Sequence, residues 1–469
     1  MDGYHMKVVV IGAGMSGAAA AKLLHGRGAL VYIMDGKDES GLPYARELPL
    51  PQERRLFGAE MTLSSVPGPP PDLVVLSPGV PPHLKVVQEA LNQEIRVWSE
   101  VELALGELME EEGEDADDSK NGGHRATVIG VTGSNGKTTT ASLLGAVAAM
   151  TGKSSVVAGN IGRALTSLIE EYEYIVAELS SFQLAFLDKL RIPIAVLLNI
   201  TPDHLDWHGS FEAYVAAKAR IFKNQRPEDV CVINWECPVC REISETVSSR
   251  RVFFSSGTLL FEGWGLEQGW IVRRRDGKSR RVVETQALSL KGVHNWENVM
   301  AALAVAEELG LSEEEMSRVV TAFEPVKHRQ EVVGTFDGIL YINDSKATNP
   351  DSAIKAMGSY ENPIVLLAGG RNKGLDMMGF MKVAKERARC VVVYGEAAAE
   401  MQRAGEGVGV PRIVERKGFA EAVAAAIEEA CPGDVVLLSP GCTSWDGFKN
   451  YEERGECFKE LVRAHYDVK

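Results

Sequence analysis

Residues 130–140 read GVTGSNGKTTT, and this stretch decides the fold of the segment around it. An apolar run from Thr127 to Val131 precedes it, and an Ala/Leu-rich helical pattern follows. The glycines allow the backbone to turn tightly enough for successive N–H groups to face phosphate oxygens. Lys137 can reach the outer phosphates, Thr138 can ligate Mg²⁺, and the start of the helix adds a favourable dipole. The stretch predicts a strand, a phosphate-binding loop and a helix, and therefore a site for ATP or a related nucleotide.

The spacing within this loop departs from the strict Walker form, because Gly136 follows Gly130 by six positions instead of five. An ordinary glycine-rich turn between a strand and a helix is the alternative interpretation. The Gly-Lys-Thr-Thr sequence argues against it, since it adds charge and metal-binding hydroxyls that a simple turn does not need.

The composition limits the classes of protein to which the chain can belong. Its 469 residues exceed what a single core usually supports, so we expect about two to four domains. A net charge of −15 argues against general nucleic-acid binding, which requires a basic face, but it allows local sites for anionic substrates. We find no bilayer-spanning apolar run and no signal peptide, so we expect a cytoplasmic protein that has no membrane partner.

The cysteines indicate a reducing environment. The chain has seven, and this odd and scattered set fits free thiols better than a disulfide framework. Cys237 and Cys240 form a C-x-x-C motif, but no second Cys or His pair lies at zinc spacing. A metal at this motif is therefore the weaker interpretation.

Three blocks of alternating strand-like and helical segments follow one another, so we expect an α/β protein with parallel sheets flanked by helices. Residues 1–108 have the pattern of a Rossmann-like domain. Residues 109–124 contain EEEGEDADD, which we interpret as an acidic disordered linker. Residues 125–325 form a P-loop ATPase-like domain with a mostly parallel sheet. Residues 326–469, with four strand-like runs, form a second Rossmann-like domain.

The first block carries a second glycine-rich turn. Gly12, Gly14 and Gly17 form G-x-G-x-x-G after the first strand, and Asp35 follows 18 positions later. The usual interpretation is a dinucleotide site, with a nicotinamide or flavin enzyme as the corresponding function. Such a turn holds any diphosphate, including that of a uridine diphosphate sugar. The turn Ser77–Gly79 ends a neighbouring strand and is placed to complete the same crevice.

Polar residues follow two strands of the second block. Glu178 ends one strand, at the edge where Mg²⁺ coordination beside a phosphate loop is usual. Asp203 and His204 follow the next strand, and we favour a functional role for His204 over a solvated one.

Two helical patterns in the second block carry further candidates. Lys218 lies in FEAYVAAKARIF, where a lysine is usually only a solvated charge. Asn295 and Asn298 fall on one helix face and offer the donor–acceptor pair that adenine recognition requires. Solvated asparagines are an equal alternative.

The chain resembles the Mur ligase family, the ATP-dependent amide ligases of peptidoglycan precursor synthesis. The stretches that carry the resemblance are GAGMSG, LSPG, GVTGSNGKTTT, GNIG, ELSSFQL, TPDHLDWHG, AAKARIF, GVHNWEN, KHRQE, NDSKATNPDS and LSPGCTSWDGFKNYEERG. They cover essentially the whole chain except the acidic segment, and several are shared with folylpolyglutamate synthases. The last two, with the Rossmann-like first block, are most similar to the D-glutamate-adding branch. The resemblance implies that ATP drives addition of D-glutamate to UDP-N-acetylmuramoyl-L-alanine through an acyl phosphate, with release of ADP and phosphate.

The resemblance also implies the residues that bind each substrate. For ATP they are Gly133, Ser134, Asn135, Gly136, Lys137, Thr138, Thr139, Asn295, Asn298, His328, Arg329 and Asp344. For the uridine nucleotide they are Gly14, Ser16, Gly17, Asp35, Ser77, Gly79 and Asn160. For D-glutamate they are Thr348, Lys373, Ser444 and Tyr451.

Catalytic and metal-binding roles follow from the same resemblance. The implied catalytic residues are Lys137, Lys218, His204 and Lys346. The implied ligands of two Mg²⁺ ions are Thr138, Glu178, His204 and Lys218, the last as a carbamate. We expect a monomer.

Two departures from the family pattern affect individual contacts. Gly36 stands where a hydroxyl residue is common, which leaves uracil recognition open, and GCTSWDG replaces a more usual Ala-Cys-Ala-Ser pattern. For Trp445 we favour a place in the core over contact with bound glutamate.

Three other functions compete with this interpretation. A nicotinamide dehydrogenase explains GAGMSG and Asp35 but leaves the phosphate loop without a role. A folylpolyglutamate synthase or another Mur ligase shares the ATP machinery but lacks GAGMSG and SPG combined with SWDGFKN. A nucleotide switch hydrolyses ATP without an amine acceptor.

Overall fold

A computed structural model of the chain describes residues 6–42, 44–58, 60–108, 126–160, 163, 165–168, 172–324, 327–372 and 375–467. The chain divides into two compact units, residues 1–283 with 297–320 and residues 284–296 with 321–469. The predicted acidic linker at 109–124 lies outside the described residues, as does Lys373.

The first sheet forms from the apolar runs of the N-terminal block. Its elements are β1 (Lys7–Ile11), α1 (Met15–Gly26), β2 (Leu30–Asp35), β3 (Arg55–Phe57), β4 (Leu73–Leu76), α2 (Lys85–Asn92), β5 (Arg96–Ser99) and α3 (Glu100–Leu108). The five strands lie in the order β3-β2-β1-β4-β5, and every pair is parallel. All five residues of β1 are buried, as expected for a parallel strand covered on both faces. The strand order reverses between β1 and β4, which is where open α/β sheets bind ligands.

The second sheet contains the phosphate loop. Its strands and the associated helices are β6 (Thr127–Thr132), α4 (Lys137–Met150), β7 (Ser155–Gly159), β8 (Tyr174–Glu178), α5 (Ser181–Ala185), β9 (Ile194–Leu197), α6 (Leu205–His208), α7 (Phe211–Ala219), β10 (Val230–Asn234), α8 (Pro238–Glu245), β11 (Arg250–Ser255), β12 (Gly263–Glu267), β13 (Trp270–Arg275), β14 (Lys278–Glu284), α9 (Val293–Glu308) and α10 (Glu313–Thr321). The order is β14-β13-β12-β11-β10-β9-β6-β8-β7. Because β6 pairs with both β8 and β9, the ends of these three strands lie side by side at one edge.

The third sheet lies in the second unit. Its elements are β15 (Glu331–Phe336), β16 (Ile339–Asn343), α11 (Pro350–Met357), β17 (Ile364–Gly369), α12 (Met377–Arg387), β18 (Ala388–Tyr394), α13 (Ala398–Val408), β19 (Ile413–Arg416), α14 (Phe419–Glu429), β20 (Val435–Gly441) and α15 (Tyr451–Asp467). The order is β15-β16-β20-β17-β18-β19. The sequence predicted the four central strands, and the structure adds an edge strand on each side.

The predicted α/β fold with mostly parallel sheets is confirmed, and two of the sheets also contain an antiparallel pair near one edge. β12 pairs with β13, and β15 with β16, in antiparallel fashion. Both hairpins turn through two residues with positive φ, Gln268-Gly269 and Asp337-Gly338. This geometry matches the right-handed twist of paired strands, and Asp-Gly is one of its strongest sequence signals. The predicted domain limits stay a prediction.

The length and hydropathy of the helices bear on whether any of them could cross a membrane. Within the described part of the chain, no helix combines the length and the apolar character that a membrane crossing requires.

Candidate functional site

The phosphate loop connects β6 to α4, and two glycines give it its shape. Gly133 and Gly136 have φ angles of +155° and +87°, a region that side-chain-bearing residues rarely adopt. A Cβ atom at Gly136 would overlap Oδ1 of Asn298, so the amide of Asn298 lies directly against the loop. The sequence predicted both glycines, and the structure brings Asn298 to them.

The segment that follows β9 holds the loop in place. The N–H of Asn135 donates to Oδ1 of Asn199 at 2.9 Å, and Nδ2 of Asn199 donates back to the Asn135 carbonyl at 3.1 Å. The Ser134 hydroxyl donates to the Thr201 carbonyl at 2.9 Å and lies 2.8 Å from the hydroxyl of Tyr214. Sequence reasoning missed Asn199, Thr201 and Tyr214. The available signal was the position of Asn199 and Thr201 directly after a strand next to the loop.

Two lysines converge on one carbonyl oxygen of the loop. Nζ of Lys137 donates to the Gly133 carbonyl at 2.7 Å and to the Ser134 carbonyl at 2.9 Å. Nζ of Lys218, on α7, donates to the same Gly133 oxygen at 2.8 Å. The Lys218 side chain is also 4.8 Å from the ring centre of Tyr214. The loop therefore has two lysine nitrogens at one point, and the charge of Lys137 there suits a polyphosphate.

Lys218 is not the solvated charge that its helical pattern usually indicates, because only 1% of its surface is exposed. Burial holds the pKa of its ammonium well below the usual range, and the charge of Lys137 lowers that pKa further. Asp203 and Glu178 oppose this shift. The amine of Lys218 consequently loses its proton more readily than a surface lysine does.

Glu178 has the environment of a cation ligand. Its carboxylate lies buried at the end of β8, and Oε1 accepts from Nδ2 of Asn160 at 3.0 Å. No donor among the described residues reaches the buried Oε2. The hydroxyl-bearing Thr138 is buried at the start of α4. These oxygens fit Mg²⁺, which typically takes one or two protein carboxylates together with phosphate and water oxygens.

The structure groups Asn160 with Glu178, at the ends of β7 and β8. The described residues contain no cluster of three or more His, Cys, Asp and Glu side chains that suits a metal ion.

His204 lies at the entrance of the short helix α6 in a left-handed backbone conformation, with φ of +52°. Its Nε2 is 3.5 Å from the Asp203 carboxylate, and its ring makes a T-shaped contact with Phe182, with 4.7 Å between the ring centres. A second histidine belongs to the same aromatic group. His208 stacks on Phe182, and its Nε2 is 2.9 Å from the Ser181 hydroxyl. Sequence reasoning missed His208, although it stands four residues after His204 in the same motif.

In the first sheet, the glycine-rich turn and the end of β2 are joined by a carboxylate. Oδ2 of Asp35 accepts from the N–H of Ala13 at 2.8 Å, and Oδ1 accepts from the N–H of Lys37 at 3.0 Å. The hydroxyl of Ser77 donates to the Gly12 carbonyl at 3.2 Å. The predicted uridine-site residues of this sheet therefore lie together at the ends of β1, β2 and β4, and they are Gly14, Ser16, Gly17, Asp35, Ser77 and Gly79.

The two asparagines of α9 are buried, so the alternative of solvated side chains was wrong. Each is 3% exposed. Nδ2 of Asn295 donates to the Lys291 carbonyl at 2.7 Å, which fixes the orientation of its amide.

In the second unit, Asp344 follows β16 and is the centre of a buried polar group. Oδ2 accepts from the Ser439 hydroxyl at 2.8 Å, and Oδ1 accepts from the N–H of Gln330 at 3.2 Å. Burial raises the pKa of Asp344 to about 7, against the opposing charge of Arg329. His328 is buried beside this group, with its Nδ1 3.0 Å from Nδ2 of Asn343.

The NDSKATN loop is held by α15. Nζ of Lys346 donates to the Tyr451 hydroxyl at 3.1 Å, and the Ser345 hydroxyl donates to the Tyr451 carbonyl at 2.8 Å. Arg454 is fully buried, with its guanidinium 2.9 Å from both oxygens of Ser345. Thr348 lies on the same loop and donates its N–H to the Lys346 carbonyl at 2.9 Å. Sequence reasoning missed Arg454, which follows Tyr451 by three positions on the same helix.

Ser444 is 2% exposed and follows a backbone bridge between Thr443 and Arg371. Trp445 is 62% exposed, so its predicted place in the core was wrong. Trp445 lies in a turn in which the N–H groups of Gly447 and Phe448 donate to the Ser444 carbonyl, so its side chain is on the surface while that of Ser444 is buried.

Three family models match the chain in succession. Residues 6–99 match the Mur ligase MurD-like N-terminal domain, residues 131–306 the Mur ligase middle domain, and residues 328–442 the glutamate ligase domain of Mur ligases. The chain belongs to the Mur ligase family, as the sequence predicted, and it is a ligase that uses ATP.

Two curated relatives with high sequence identity over nearly the full chain belong to one branch of this family. A protein of Desulfitobacterium hafniense is 51% identical over 98% of both chains, and one of Pelotomaculum thermopropionicum is 43% identical over 97% of both. Both are named UDP-N-acetylmuramoylalanine–D-glutamate ligase.

Solved structures agree with the fold. The UDP-N-acetylmuramate-alanine ligase of Thermotoga maritima aligns over 99% of this chain and 100% of its own, with a TM-score of 0.59 and 20% identity. A MurF ligase of the same organism, solved with ADP, covers 84% of this chain and 90% of its own, with a TM-score of 0.57 and 18% identity.

Proposed function

We propose that the chain joins D-glutamate to UDP-N-acetylmuramoyl-L-alanine at the expense of ATP, in peptidoglycan precursor synthesis. The observation that carries the proposal is the convergence of Lys137 and Lys218 on the Gly133 carbonyl, close to where β8 ends in the buried Glu178. The names of relatives that match nearly the full chain supply the substrates.

The need for ATP follows from the chemistry of the amide. A carboxylate is a poor acyl donor because its leaving group is oxide, so ATP first converts it to an acyl phosphate. Negative charge spreads over the phosphoryl oxygens during that transfer. Lys137 neutralises it from the loop, and the N–H groups at the start of α4 add their dipole. The D-glutamate amine then attacks the acyl carbon and phosphate leaves.

Mg²⁺ fits the oxygens of Thr138 and Glu178, with His204 as a further ligand on the same edge of the sheet. When bound, Mg²⁺ neutralises phosphate charge and orients the transferring group. The chain's own part is to present Glu178 in a dry environment and to fix its orientation through Asn160.

We further propose that Lys218 is carbamylated and so becomes a metal ligand. Its amine, deprotonated with the help of burial, attacks carbon dioxide; a new N–C bond forms and one proton is released. The product is an anion beside the ammonium of Lys137, so the two side chains attract each other. Lys218→Ala is expected to abolish turnover, with partial rescue by a small carboxylate such as formate; a signal from ¹³C-labelled bicarbonate that persists in Lys218→Ala contradicts the assignment.

The remaining predicted residues divide between two further substrates. We assign the uridine nucleotide to the turn around Gly14 and to Asp35 and Ser77. We assign D-glutamate to the second unit, where Lys346 and Tyr451 form a cationic and hydroxyl pair suited to carboxylates. Thr348, Lys373 and Ser444 complete this set, and the nucleotide contacts of that unit are Arg329 and Asp344. A cytoplasmic monomer is part of the same proposal.

One assay tests the main proposal. Phosphate release from ATP is measured with UDP-N-acetylmuramoyl-L-alanine present and with different amino acids added. Release that depends on D-glutamate is the expected result. Stimulation by L-amino acids alone points to another Mur ligase and folate dependence to a folylpolyglutamate synthase. Release without any amine acceptor points to a nucleotide switch, and each of these three results contradicts the proposal.

A further inference from the structure

The C-x-x-C motif at residues 237–240 takes no part in the site described above, and it lies at the N-terminus of helix α8. Cys237 is the residue that caps the start of α8, and Pro238 is the first residue of that helix. The N–H of Arg241 donates to the Cys237 carbonyl at 3.1 Å, which closes the first helical turn. Residues three apart on such a turn share one face, so the side chains of Cys237 and Cys240 are neighbours.

The two thiols differ in exposure and act on each other. Cys240 is completely buried and Cys237 is half-buried, so only the first cysteine of the pair is open to a reagent. A hydrogen bond from Cys240 lowers the pKa of the Cys237 thiol to about 6 in spite of partial burial. The N-terminus of α8 also favours a thiolate. A thiolate with a buried thiol beside it has the arrangement of a dithiol that undergoes disulfide exchange.

The pair contacts the segment Asn199–Thr201, which holds the phosphate loop through hydrogen bonds and is called the brace below. Sγ of Cys237 contacts the Ile200 carbonyl at 3.9 Å. Ile200 directly precedes Thr201, whose backbone exchanges hydrogen bonds with Ser134 of the loop. Cys240 also shares a buried apolar cluster with Ile200 and with Tyr214, which contacts both Ser134 and Lys218.

We propose that Cys237 and Cys240 form a reversible dithiol–disulfide site that reacts with low-molecular-weight disulfides, and that its disulfide form lowers ligase turnover through the Ile200–Thr201 segment. The Cys237 thiolate attacks one sulfur of the disulfide, forms a mixed disulfide and releases one thiolate. Cys240 then loses its proton, attacks Sγ of Cys237 and expels the second thiolate. Two electrons pass from the protein thiols to the disulfide, which leaves as two thiols.

The physical link to turnover is a change in the position of one sulfur. A disulfide holds its sulfurs about 2.05 Å apart, much closer than two hydrogen-bonded thiols. Closing the bond therefore draws Sγ of Cys237 toward Cys240 and changes its contact with the Ile200 carbonyl. The brace reaches Ser134 through the next residue, so the loop loses part of its support.

The test uses the full-length protein equilibrated with mixtures of reduced and oxidised glutathione, then trapped with iodoacetamide and mapped by mass spectrometry. We expect loss of two hydrogens in the peptide that holds Cys237 and Cys240, at a fraction that follows the glutathione ratio and returns to zero with dithiothreitol. Phosphate release should fall with that fraction, by about twofold or more at full oxidation.

Matched variants separate this site from the other cysteines. Cys237→Ser should keep the activity of the reduced protein and make it insensitive to oxidised glutathione. Cys431→Ser, at an exposed cysteine of the other unit, should remain as sensitive as the parent chain. Because Cys237 is only half-buried, its serine variant is expected to fold even if replacements of Cys240 do not.

Three results overturn the proposal. The first is a persistent glutathione adduct on Cys237 with no internal disulfide. The second is a disulfide that forms without any change in phosphate release. The third is an activity loss in Cys237→Ser equal to that of the parent chain under oxidation.

Discussion

Two glycine-rich turns in the first unit share a backbone plan and carry opposite charge. The turn at residues 12–17 leads from β1 into α1, and the loop at residues 133–137 leads from β6 into α4. In the first, the Asp35 carboxylate accepts from a turn N–H. In the second, Lys137 and Lys218 place two nitrogens on one carbonyl. A strand, a glycine turn and a helix therefore do not define a triphosphate site alone; the side chains that reach the turn determine its charge.

The glycines of the two turns also differ in what they touch. A Cβ atom at Gly17 would overlap the backbone carbonyl of Gly12, whereas one at Gly136 would overlap the amide of Asn298. A side chain can move aside, but the backbone of a buried turn cannot without moving the strand. By contact alone, Gly17 is therefore less tolerant of a side chain than Gly136, whose positive φ also favours glycine.

Gly17→Ala is expected to have the largest effect. The added methyl group meets the Gly12 carbonyl and the Ser77 hydroxyl, so the turn must open and stability should fall by about 3 kcal/mol or more. Gly14→Ala is the matched control, because no atom lies within 4 Å of its Cβ position, and it should cost less than about 1 kcal/mol. Urea unfolding measures both. Equal losses in the two variants would show that the close approach at Gly17 does not limit the fold.

Lys137→Met tests the charge of the second turn. The variant removes the two hydrogen bonds of Lys137 to the loop carbonyls, and phosphate release should fall by about 10²- to 10³-fold through loss of charge stabilisation. We expect the fold to persist. Lys153→Met, at an exposed lysine beyond the end of α4, serves as the control and should leave activity unchanged. A loss of less than tenfold in Lys137→Met would remove Lys137 from its proposed catalytic role.

How much of this site can be predicted from the sequence depends on how far apart in the chain the contacting residues are. The glycines, Lys137 and Glu178 were predictable, since the strand-loop-helix pattern and the strand end fix their positions locally. The burial of Lys218 was not predictable, because the sequence of a helix of small residues does not show which of its faces packs against the sheet. Asn199 braces the loop because β9 pairs with β6, a strand order that linear sequence does not state. The role of Arg454 could not be predicted for the same reason, because it donates to Ser345, which lies more than 100 positions earlier in the chain.

The pH dependence of the free energy of unfolding tests the charge state of Lys218 at the second turn. The pKa of Lys218 lies below 10.5 in the folded state, so between those two values the unfolded chain binds the extra proton and stability rises with pH. Lys218→Met removes this dependence. Its advantage in stability over the parent chain should be present at pH 7 and shrink toward zero by about pH 10.5, at no more than about 1.4 kcal/mol per pH unit. Chemical unfolding in bicarbonate-free buffer measures the difference, and a constant difference across this range contradicts the burial of a free amine.

Asp35→Ala should have the smallest effect, and it tests the carboxylate that distinguishes the first turn. The variant leaves the N–H of Ala13 without its acceptor, which should cost about 1 kcal/mol of stability and raise the KM for the uridine nucleotide several-fold, with kcat nearly unchanged. Asp35→Asn keeps an acceptor oxygen in the same place and should recover most of the stability. If Asp35→Asn recovers the KM as well, the hydrogen bond to Ala13 orders the turn and the charge is dispensable. If stability recovers but KM does not, the negative charge itself contacts the nucleotide, and the two turns differ in how they read a ligand as well as in how they are built.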